Sequence, residues 1–324
     1  MHSTWAITDG AAGNRRQALA LAAALGGEVR ELELHARAPW SWLAPRVSLG
    51  GRLAWDAAAR AQLAPPWPGL VIGCGRQAAL ATRLLRRLGN GRCRSVQILD
   101  PRADPRHWDV VIAPRHDDVR GANVLNPLGS LHAIDAAWLG DARDAWHVFA
   151  RLPVPRIGVL LGGPRRGVAL DPAWQTALVG RLRALLHHGG SALIMASRRT
   201  PADLVDVCAA AAGAWPRRVW RGARDGANPY PGVLAWSDRL LVSPDSVNML
   251  SEAAACGVPV HSVVSAPLPA RLARFHAALR EGGWLIDVDA AYRAPAPLRE
   301  TAAIAARVRD ILQRAPGAEG GETT

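Results

Sequence analysis

Lysine is absent from the 324 residues, so the 39 residues that could be lysine or arginine are all arginine. This absence excludes Schiff-base lysines, lysine general bases and the P-loop motif that ends in Gly-Lys-Ser/Thr. Set against 27 acidic residues, the arginines give a net charge of +12. Such a charge favours an anionic partner: a nucleic acid, a phosphorylated substrate or an anionic membrane surface.

Concentrated basic segments are also lacking. The first 150 residues hold 18 arginines against 13 acidic residues, and the rest of the chain holds 21 against 14. No run exceeds two arginines, and the zinc-finger and aromatic signatures of nucleic-acid modules do not occur. We therefore do not expect a nucleic-acid partner. A diffuse, solvated surface charge is the alternative to a specific anion site.

Cysteine is scarce, with Cys74, Cys93, Cys208 and Cys256 in mostly apolar contexts and without CxxC spacing. The apolar contexts and the absence of paired cysteines favour buried reduced thiols over a disulfide framework or a zinc site. The N-terminus lacks the basic and apolar regions of a signal peptide. No uncharged apolar stretch reaches the roughly 18 residues of a membrane-spanning helix. We expect a soluble cytosolic protein and leave open a peripheral position on the inner face of a membrane.

Short apolar runs alternate with longer Ala/Leu/Arg segments of helical period, which is typical of βαβ units and a parallel sheet. The pattern predicts strands at residues 5–8, 29–34, 70–72, 94–99 and 110–112 and, after a restart, at 156–161, 191–196, 218–220, 240–242 and 258–263. It predicts helices at residues 14–25, 76–88, 172–188, 201–212, 247–256 and 269–281.

The restart predicts an α/β protein of two Rossmann-like parallel-sheet domains that face a cleft. We predict an acceptor-side domain at residues 1–150 and a second domain at 151–296 that begins with a Pro-rich linker. Residues 297–324 are predicted as a last helix and a Gly/Glu/Thr tail that we expect to be disordered. In open sheets of this kind, ligands bind beyond the carboxyl ends of the strands.

The first strand-end loop of the second half is glycine-rich. Gly162 and Gly163 follow the strand predicted at 156–161, and Arg165 and Arg166 come next. Paired glycines let backbone N–H groups approach a phosphate closely, and arginines can pair with it. The alternative is a tight glycine turn with exposed arginines.

The next such loop runs Ser197, Arg198, Arg199, Thr200. Thr200 is predicted as a helix N-cap, with Pro201 at the first helical position and Asp203 closing a capping box. Two arginines before a helix N-terminus make an anion site, because the unpaired N–H groups and the helix dipole add to their charge. The alternative is a well-capped helix with solvated arginines.

The third loop leads into the helix predicted at 247–256, with Asp245 and Ser246 as capping residues. Asn248 and Glu252 are spaced i and i+4 and share one face, away from the apolar residues at 247, 250 and 254. A carboxylate one to two turns from a helix N-terminus suits a ribose diol beside a diphosphate. The alternative is an ordinary amphipathic helix with an exposed Glu252.

This third segment resembles the nucleotide-binding segment of GT-B glycosyltransferases, in which a serine-rich turn meets the diphosphate and a glutamate on the same helix holds the ribose. In combination, the motifs resemble the plant mitochondrial-fission (elongated-mitochondria) factor family and its bacterial relatives, over roughly residues 4–290. The motifs are Asp9-Gly10…Gly13…Gln17, VIGCGR at 71–76, QILDPR at 97–102, APRHD at 113–117, GGP at 162–164, SRRTP at 197–201 and NPY at 228–230.

The resemblance implies a GT-B-like fold and a metal-independent glycosyltransferase that uses a nucleotide-diphosphate sugar on a cell-envelope or lipid-linked acceptor. No metal and no cofactor beyond the donor substrate are expected, because arginines and helix N-termini would stabilise the leaving diphosphate. The plant members are described as recruiting fission machinery, so a non-catalytic scaffold is one alternative. A nucleotide-sugar epimerase on the same fold is another. The implied nucleotide and diphosphate residues are Gly162, Gly163, Ser197, Arg198, Arg199, Thr200, Asp245, Ser246, Asn248 and Glu252.

The strand-end loops of the first half would face the acceptor. In GT-B enzymes the general base usually comes from the N-terminal domain, which leaves Asp9 and His116 as the two candidates. Asp9 could instead fix its glycine turn, and His116 could be structural; the strand-end position favours Asp9. The other predicted acceptor-side residues are Gly10, Gly13, Asn14 (also predicted as a helix cap), Asp100, Arg102 and Arg115.

A tryptophan-rich segment lies between Arg37 and Arg46 and contains Trp40, Trp42 and Leu43. Tryptophan with flanking cations suits a membrane interface, and a lipid-linked acceptor would make such contact useful. We therefore keep contact with an anionic membrane as a possible partner interaction. The alternative is a loop whose tryptophans cover the domain core.

Overall fold

The structure is a computed structural model, and it describes residues 3–48, 50–288 and 290–314. The tail predicted at 315–324 lies outside the described residues. The chain divides into two compact units: a first unit of Met1–Ala133 with Glu300–Thr324, and a second unit of Ile134–Arg299. Each is an α/β unit on a parallel sheet, so the predicted fold class of two parallel-sheet domains is confirmed.

The sheet of the first unit has six parallel strands in the order β2-β1-β3-β4-β5-β6. They are β1 (Thr4–Thr8), β2 (Val29–Glu33), β3 (Leu70–Cys74), β4 (Arg94–Ile98), β5 (Val110–Ile112) and β6 (Val124–Leu125). The helices are α1 (Ala12–Leu25), α2 (Trp40–Leu43), α3 (Ala57–Gln62), α4 (Arg76–Leu88) and, at the end of the chain, α11 (Thr301–Arg314).

Successive side chains of a strand point to opposite faces of this sheet, and both faces are buried. Ala6 and Ile72 pack in one cluster with residues of α1 and α11. Trp5 and Val71 pack in another cluster with residues of α4 and of the segment between β2 and β3. Helices α1 and α11 therefore cover one face of the sheet, and α4 covers the other.

The sheet of the second unit has five parallel strands in the order β11-β10-β7-β8-β9. They are β7 (Arg156–Leu161), β8 (Ser191–Ala196), β9 (Arg217–Trp220), β10 (Arg239–Val242) and β11 (Val260–His261). The helices are α5 (Ala136–Ala145), α6 (Pro172–Leu186), α7 (Ala202–Ala211), α8 (Tyr230–Trp236), α9 (Val247–Ala254) and α10 (Ala270–Glu281).

Strand order reverses once in each sheet. In the first unit the chain moves from β1 to β2 and returns to β3 on the other side of β1. In the second unit it moves from β7 through β8 to β9 and returns to β10 on the other side of β7. Crevices for ligands form at such reversals, beyond the carboxyl ends of the strands. The loops after β1 and β3, and those after β7 and β10, therefore lie where such crevices form.

The observed units differ from the predicted boundaries. The division falls between Ala133 and Ile134, not near residue 150, because α5 packs on α8 through an Arg143 Nε bond to the Ala235 carbonyl oxygen of 3.0 Å. The last helix joins the first unit, where Ile304 and Val308 are buried against the sheet. Strand β6 and helices α2, α3, α5 and α8 were not predicted.

Candidate functional site

Three strand-end loops of the second unit meet because β10, β7 and β8 are neighbours in the sheet. Asp245, which follows β10 and is fully buried, joins them. Its Oδ1 accepts a hydrogen bond of 2.7 Å from the Ser243 hydroxyl. Its Oδ2 lies 2.8 Å from Arg199 Nη2 and 3.4 Å from the Gly163 nitrogen. Asp245, predicted as a diphosphate residue, is thus the centre of a buried network that fixes the three loops.

Gly162 and Gly163 are the residues that let these loops approach. A Cβ on Gly162 would overlap the Asp245 carboxylate, and a Cβ on Gly163 would overlap the backbone of Arg199. The Gly162 N–H donates to the Ser243 hydroxyl at 2.7 Å. Both glycine N–H groups therefore have partners within the protein, and the predicted phosphate contact of these glycines stays a prediction.

The prediction that Thr200 caps α7 is wrong. Helix α7 begins at Ala202 after Pro201 and has no side-chain cap. The Thr200 hydroxyl instead lies 2.7 Å from the Leu161 carbonyl oxygen and 2.6 Å from that of Gly162. It also accepts from the Ser197 N–H at 2.7 Å. Thr200 therefore joins the loop after β8 to the end of β7, a contact that sequence spacing cannot reveal.

Arginines surround this network. The Arg165 guanidinium donates to the Asp245 carbonyl oxygen at 3.0 Å, and the Arg199 side chain is half exposed. Arg166 and Arg198 are exposed. Ser246 caps α9 by accepting from the Met249 N–H at 3.3 Å. Several positive charges thus lie near the reversal of strand order in the second unit, where an anion would be stabilised.

Glu252 lies on α9 and is buried, with 3% of its surface exposed, whereas Asn248 is half-buried. The alternative of an exposed Glu252 on an ordinary amphipathic helix is therefore excluded. A buried carboxylate needs polar partners, and Glu252 accepts a short hydrogen bond from the Tyr230 hydroxyl. Asn228 fixes the turn before α8 by accepting from the Tyr230 N–H at 3.0 Å. The contact explains the Asn228-Pro229-Tyr230 motif, which had no predicted role.

The thiol nearest to Glu252 in sequence is unreactive. Burial raises the pKa of Cys256 to about 12, and the negative charge of Glu252 acts in the same direction. The Cys256 thiol donates to the Glu252 carbonyl oxygen at 3.2 Å. Cys256 is therefore protonated at neutral pH and gives the site no nucleophile.

Asp9 follows β1 at the reversal of strand order in the first unit. Its Oδ1 accepts from the Ala11 N–H at 3.2 Å and from Asn14 Nδ2 at 2.9 Å. The prediction that Asn14 caps α1 is wrong, because α1 begins at Ala12 and Asn14 holds the Asp9 carboxylate instead. Gly75, after β3, closes the other side: a Cβ there would lie 2.7 Å from Asn14 Nδ2. Asp9 itself is partly exposed.

His116 lies in a short 3-10 turn, Arg115–Asp117, that follows β5. Its ring is buried, with Nε2 3.4 Å from Asp117 Oδ1. Strands β3 and β4 separate β5 from β1, so the lateral distance between the two strands is about 14 Å at roughly 4.8 Å per strand. The structure therefore does not bring His116 to Asp9, and the two remain alternative candidates for one role.

The remaining acceptor-side residues are held within their own loops. Asp100 accepts from the Arg102 N–H at 2.7 Å, with Arg102 in the left-handed region at φ 54°. The exposed Arg115 donates from Nε to the Asn126 carbonyl oxygen at 3.3 Å. Gly10 makes the turn after Asp9 at φ 72°, and Gly13 lies in the first turn of α1. Their contacts are structural, and binding roles for them stay predictions.

Over residues 3–48, 50–288 and 290–314, no three His, Cys, Asp or Glu side chains are grouped as a metal site. In the same ranges no helix has both the length and the apolarity needed to cross a bilayer. The expected independence of a metal stays a prediction.

Solved structures with the same fold include two enzymes of different activity. The UDP-GlcNAc 2-epimerase of Methanocaldococcus jannaschii aligns over 97% of this chain and 100% of its own, with a TM-score of 0.60 and 11% identity. The spinosyn forosaminyltransferase aligns over 98% and 96%, with a TM-score of 0.52 and 15% identity. At these identities the likeness concerns the fold, and the chain has a fold of the GT-B glycosyltransferase type.

Two sequence comparisons agree on the family. The model described as "Mitochondrial fission ELM1" matches residues 12–312. The mitochondrial fission protein ELM1 of Arabidopsis thaliana is 33% identical over 276 residues, which are 76% of this chain and 64% of that protein. This chain therefore aligns with less than two thirds of that relative's length. The chain belongs to the mitochondrial fission ELM1 family.

Proposed function

We propose that this chain is a metal-independent glycosyltransferase of the GT-B type that uses a nucleotide-diphosphate sugar. The second unit would bind the donor, with Ser246 and the start of α9 near the diphosphate and Glu252 at the ribose. Exposed Arg166 and Arg198 supply charge for the leaving diphosphate. The M. jannaschii neighbour, named for UDP-GlcNAc, supports a nucleotide sugar as substrate.

The observation that carries the proposal is the burial of Glu252. A carboxylate with 3% exposure is costly unless it has a specific task or specific partners. Glu252 is one and a half turns from the capped N-terminus of α9, and the Tyr230 hydroxyl orients it. A ribose diol held by the carboxylate would leave the diphosphate at the N-terminus of α9.

In the first unit we propose Asp9 as the general base. Its carboxylate is fixed through Oδ1 by Asn14 and the Ala11 N–H and is partly exposed. It lies at the reversal of strand order, whereas His116 follows β5. A base in that position would accept the proton of an acceptor hydroxyl as the glycosidic bond forms. We propose a cell-envelope or lipid-linked acceptor, with the protein on an anionic membrane surface.

Two other functions have a specific observation in their favour. The M. jannaschii structure of the same fold is a nucleotide-sugar epimerase, and an epimerase needs no acceptor. The Arabidopsis relative is named for mitochondrial fission, which favours a non-catalytic recruiting role. Nucleotide binding separates the two enzymes from the scaffold, and release of the diphosphate separates the enzymes from each other.

The first experiment is calorimetry with UDP, ADP, GDP, CDP and TDP. We expect one nucleotide to bind, and we expect Glu252→Gln to weaken its binding by about 10–100-fold, since the ribose hydroxyls would then meet a neutral amide in place of a charged carboxylate. Glu281→Gln, at the exposed end of α10, is the matched control and should leave affinity unchanged. Failure of all five nucleotides to bind would favour the scaffold and reject both enzymes.

The second experiment uses the nucleotide sugar of the nucleotide that binds. A transferase releases free nucleoside diphosphate only when an acceptor is present, so membrane-extracted lipid and glycan fractions are added in turn. An epimerase converts the sugar without acceptor and without stoichiometric release. Conversion in the absence of any acceptor, followed by NMR of the sugar, would therefore replace the transferase by the epimerase.

A further inference from the structure

Exposed apolar side chains are concentrated in one segment of the first unit. Seven large apolar residues are conspicuously exposed in the described part of the chain, and four of them lie between residues 42 and 53. These four, here called the apolar patch, are Trp42 (74% exposed), Leu43 (44%), Val47 (39%) and Leu53 (59%). The alternative that the tryptophans only cover the core fails for Trp42, because three quarters of its surface faces solvent.

The backbone of residues 41–46, which carries Trp42 and Leu43 of the apolar patch, is bonded to side chains of α4. Arg76 donates to the carbonyl oxygens of Trp42 at 3.0 Å and Ser41 at 2.8 Å. Arg83 donates to those of Pro45 at 2.7 Å and Arg46 at 3.2 Å. Because four carbonyl groups of residues 41–46 are bonded to α4, Trp42 and Leu43 are presented to solvent by a fixed main chain.

An open pocket of about 470 Å³ lies beside the apolar patch. Its lining contains three arginines on one side of α4, Arg83, Arg86 and Arg87, together with His107 and Ser48. Ser48 directly follows Val47 of the patch, and Arg83 bonds to the backbone of the patch segment. The pocket therefore adjoins the segment that carries Trp42, Leu43 and Val47 of the patch. We call this cavity the arginine pocket.

Positive charge in the arginine pocket is only partly neutralised. Arg86 pairs with Asp109 at 3.0 Å, but neither Arg83 nor Arg87 is paired with a carboxylate among the described residues. Burial and the adjacent Arg87 lower the pKa of Arg83. Burial and the charge of Arg83 likewise lower the pKa of His107. The C-terminal dipole of α4 accounts for arginines in its last turn, but it does not account for three of them lining a concave site.

We propose that the arginine pocket binds the phosphate of an anionic phospholipid headgroup while the apolar patch enters the membrane interface. Guanidinium groups match phosphate oxygens in geometry and charge, and Trp42 is suited to the depth at which headgroups meet acyl chains. The inference rests on the membrane contact proposed above but not on glycosyl transfer, so a catalytically inactive chain would still show it.

The test is sedimentation of the full chain with vesicles of phosphatidylcholine alone or with 30 mol% phosphatidylglycerol, on the order of physiological anionic content. We expect binding only to the anionic vesicles, with an affinity that falls as salt is raised. Arg87→Gln should lower the partition coefficient about fivefold, on the scale of one basic residue at an anionic surface. Trp42→Ala should lower it about tenfold by removing apolar burial.

The matched control is Arg307→Gln, which removes the same charge from an exposed position on α11. Helix α11 packs on the face of the sheet opposite α4, so we expect a change of less than about twofold, from net charge alone. Equal losses for Arg87→Gln and Arg307→Gln would overturn the pocket, because binding would then reflect the overall charge. Unchanged binding after both Arg87→Gln and Trp42→Ala would overturn the entire proposal.

A second readout reports from inside the arginine pocket. We expect the NMR-measured pKa of His107 to rise when anionic vesicles or inorganic phosphate are added, because a bound anion offsets the arginines that lower it. Arg87→Gln should reduce this rise, and Arg307→Gln should not. A rise with inorganic phosphate, without any vesicle binding, would assign the pocket to a soluble phosphate compound and overturn the lipid assignment.

Discussion

The two sheets of this protein are built alike, but the loops at their carboxyl ends are organised differently. In the second unit, the loops after β7, β8 and β10 share one buried network around Asp245, with Ser243 and Arg199 as direct partners. In the first unit, Asp100 bonds within its own loop, and Asp9 is held by residues of the adjacent turn and of α1.

This difference has a chemical consequence. In the second unit, the polar groups nearest the strand ends hold the loops together, and both Arg165 and Arg199 bond to Asp245, just before the start of α9. In the first unit, Asp9 keeps partial exposure beside a reversal of strand order. This contrast is what the proposed function uses: we propose that the second unit binds the charged donor and that Asp9 in the first unit exchanges a proton.

Replacing the carboxylate of Asp9 tests the proton-exchange side of this comparison. With donor and acceptor identified, Asp9→Asn should lower kcat by about 10²–10⁴-fold, the usual contribution of a general base. Asparagine keeps an oxygen for the Ala11 N–H and the Asn14 amide, so the loop should stay folded. Release of nucleoside diphosphate at saturating substrate measures the effect.

The control for that prediction is His116→Gln, which should change kcat by no more than about twofold once the fold is verified by thermal unfolding. Full turnover by Asp9→Asn would remove Asp9 as the base. A large loss in His116→Gln alone would transfer the role to His116.

Removing the centre of the buried network should cost more stability than removing a loop carboxylate from the first unit. Asp245→Ala leaves the Ser243 hydroxyl and the Gly163 N–H without their acceptor in a buried place, which we expect to lower the free energy of unfolding by about 3 kcal/mol. The pair with half-exposed Arg199 adds little. Asp100→Ala removes one bond of a turn and should cost about 1 kcal/mol. Urea unfolding of both variants measures these changes. Equal losses in the free energy of unfolding would mean that the network does not stabilise the second unit.

Sequence patterns predicted the sheets well because they follow local rules. The strands predicted at 110–112, 156–161 and 191–196 match β5, β7 and β8 residue for residue, since buried parallel strands read as short apolar runs between turn signals. The end of α1 at Gly26, at φ 83°, also follows from a local rule. Helices α2, α3, α5 and α8 lack a clear apolar period over their 4 to 10 residues, so composition alone does not reveal them.

Sequence position predicted that Gly162, Ser197 and Asp245 lie in loops after strands, and the structure brings these loops together. That the loops bind a ligand stays a prediction. The contacts between these loops could not be predicted, because Thr200 bonds to Gly162, 38 positions away, and Asp245 bonds to Arg199, 46 positions away. The Asn228-Pro229-Tyr230 motif was the one available signal for the partner of Glu252. The role of this motif could be recognised only from the contact between α8 and α9 in the structure.

Mild acid should weaken the second unit through a buried histidine. Burial lowers the pKa of His261 to about 4, and it also lowers that of His276. The folded protein keeps His261 neutral, whereas the unfolded chain takes up a proton at this residue below about pH 6.5. Protonation therefore favours the unfolded chain, and the free energy of unfolding decreases as the pH falls from about 6.5 towards 4. Between pH 6.5 and 5 the loss is about 2 kcal/mol for this residue.

The measurement is urea unfolding at several pH values for the parent and for His261→Asn, in which the amide can still donate to the Ile286 carbonyl oxygen that lies 3.0 Å from His261 Nδ1. Between pH 7 and pH 5, the free energy of unfolding should decrease by about 2 kcal/mol more in the parent than in His261→Asn. The exposed His188→Asn is the matched control. A pH dependence unchanged in His261→Asn would show that other groups cause the acid sensitivity.

Exchanging one helix cap between the two units should produce the smallest effects, of opposite sign. Ser246 caps α9, and Ser246→Ala should cost about 1 kcal/mol. Ala11 occupies the same position before α1 in an extended conformation but offers no side-chain acceptor. Ala11→Ser should therefore stabilise the first unit by about 0.5–1 kcal/mol, because its hydroxyl can accept from a free N–H of the first turn. Thermal unfolding measures both changes. If Ala11→Ser destabilises the chain, the geometry of the loop after β1 is set by Asp9 and Asn14 so tightly that it excludes a cap, and the two strand ends differ in more than their polar contacts.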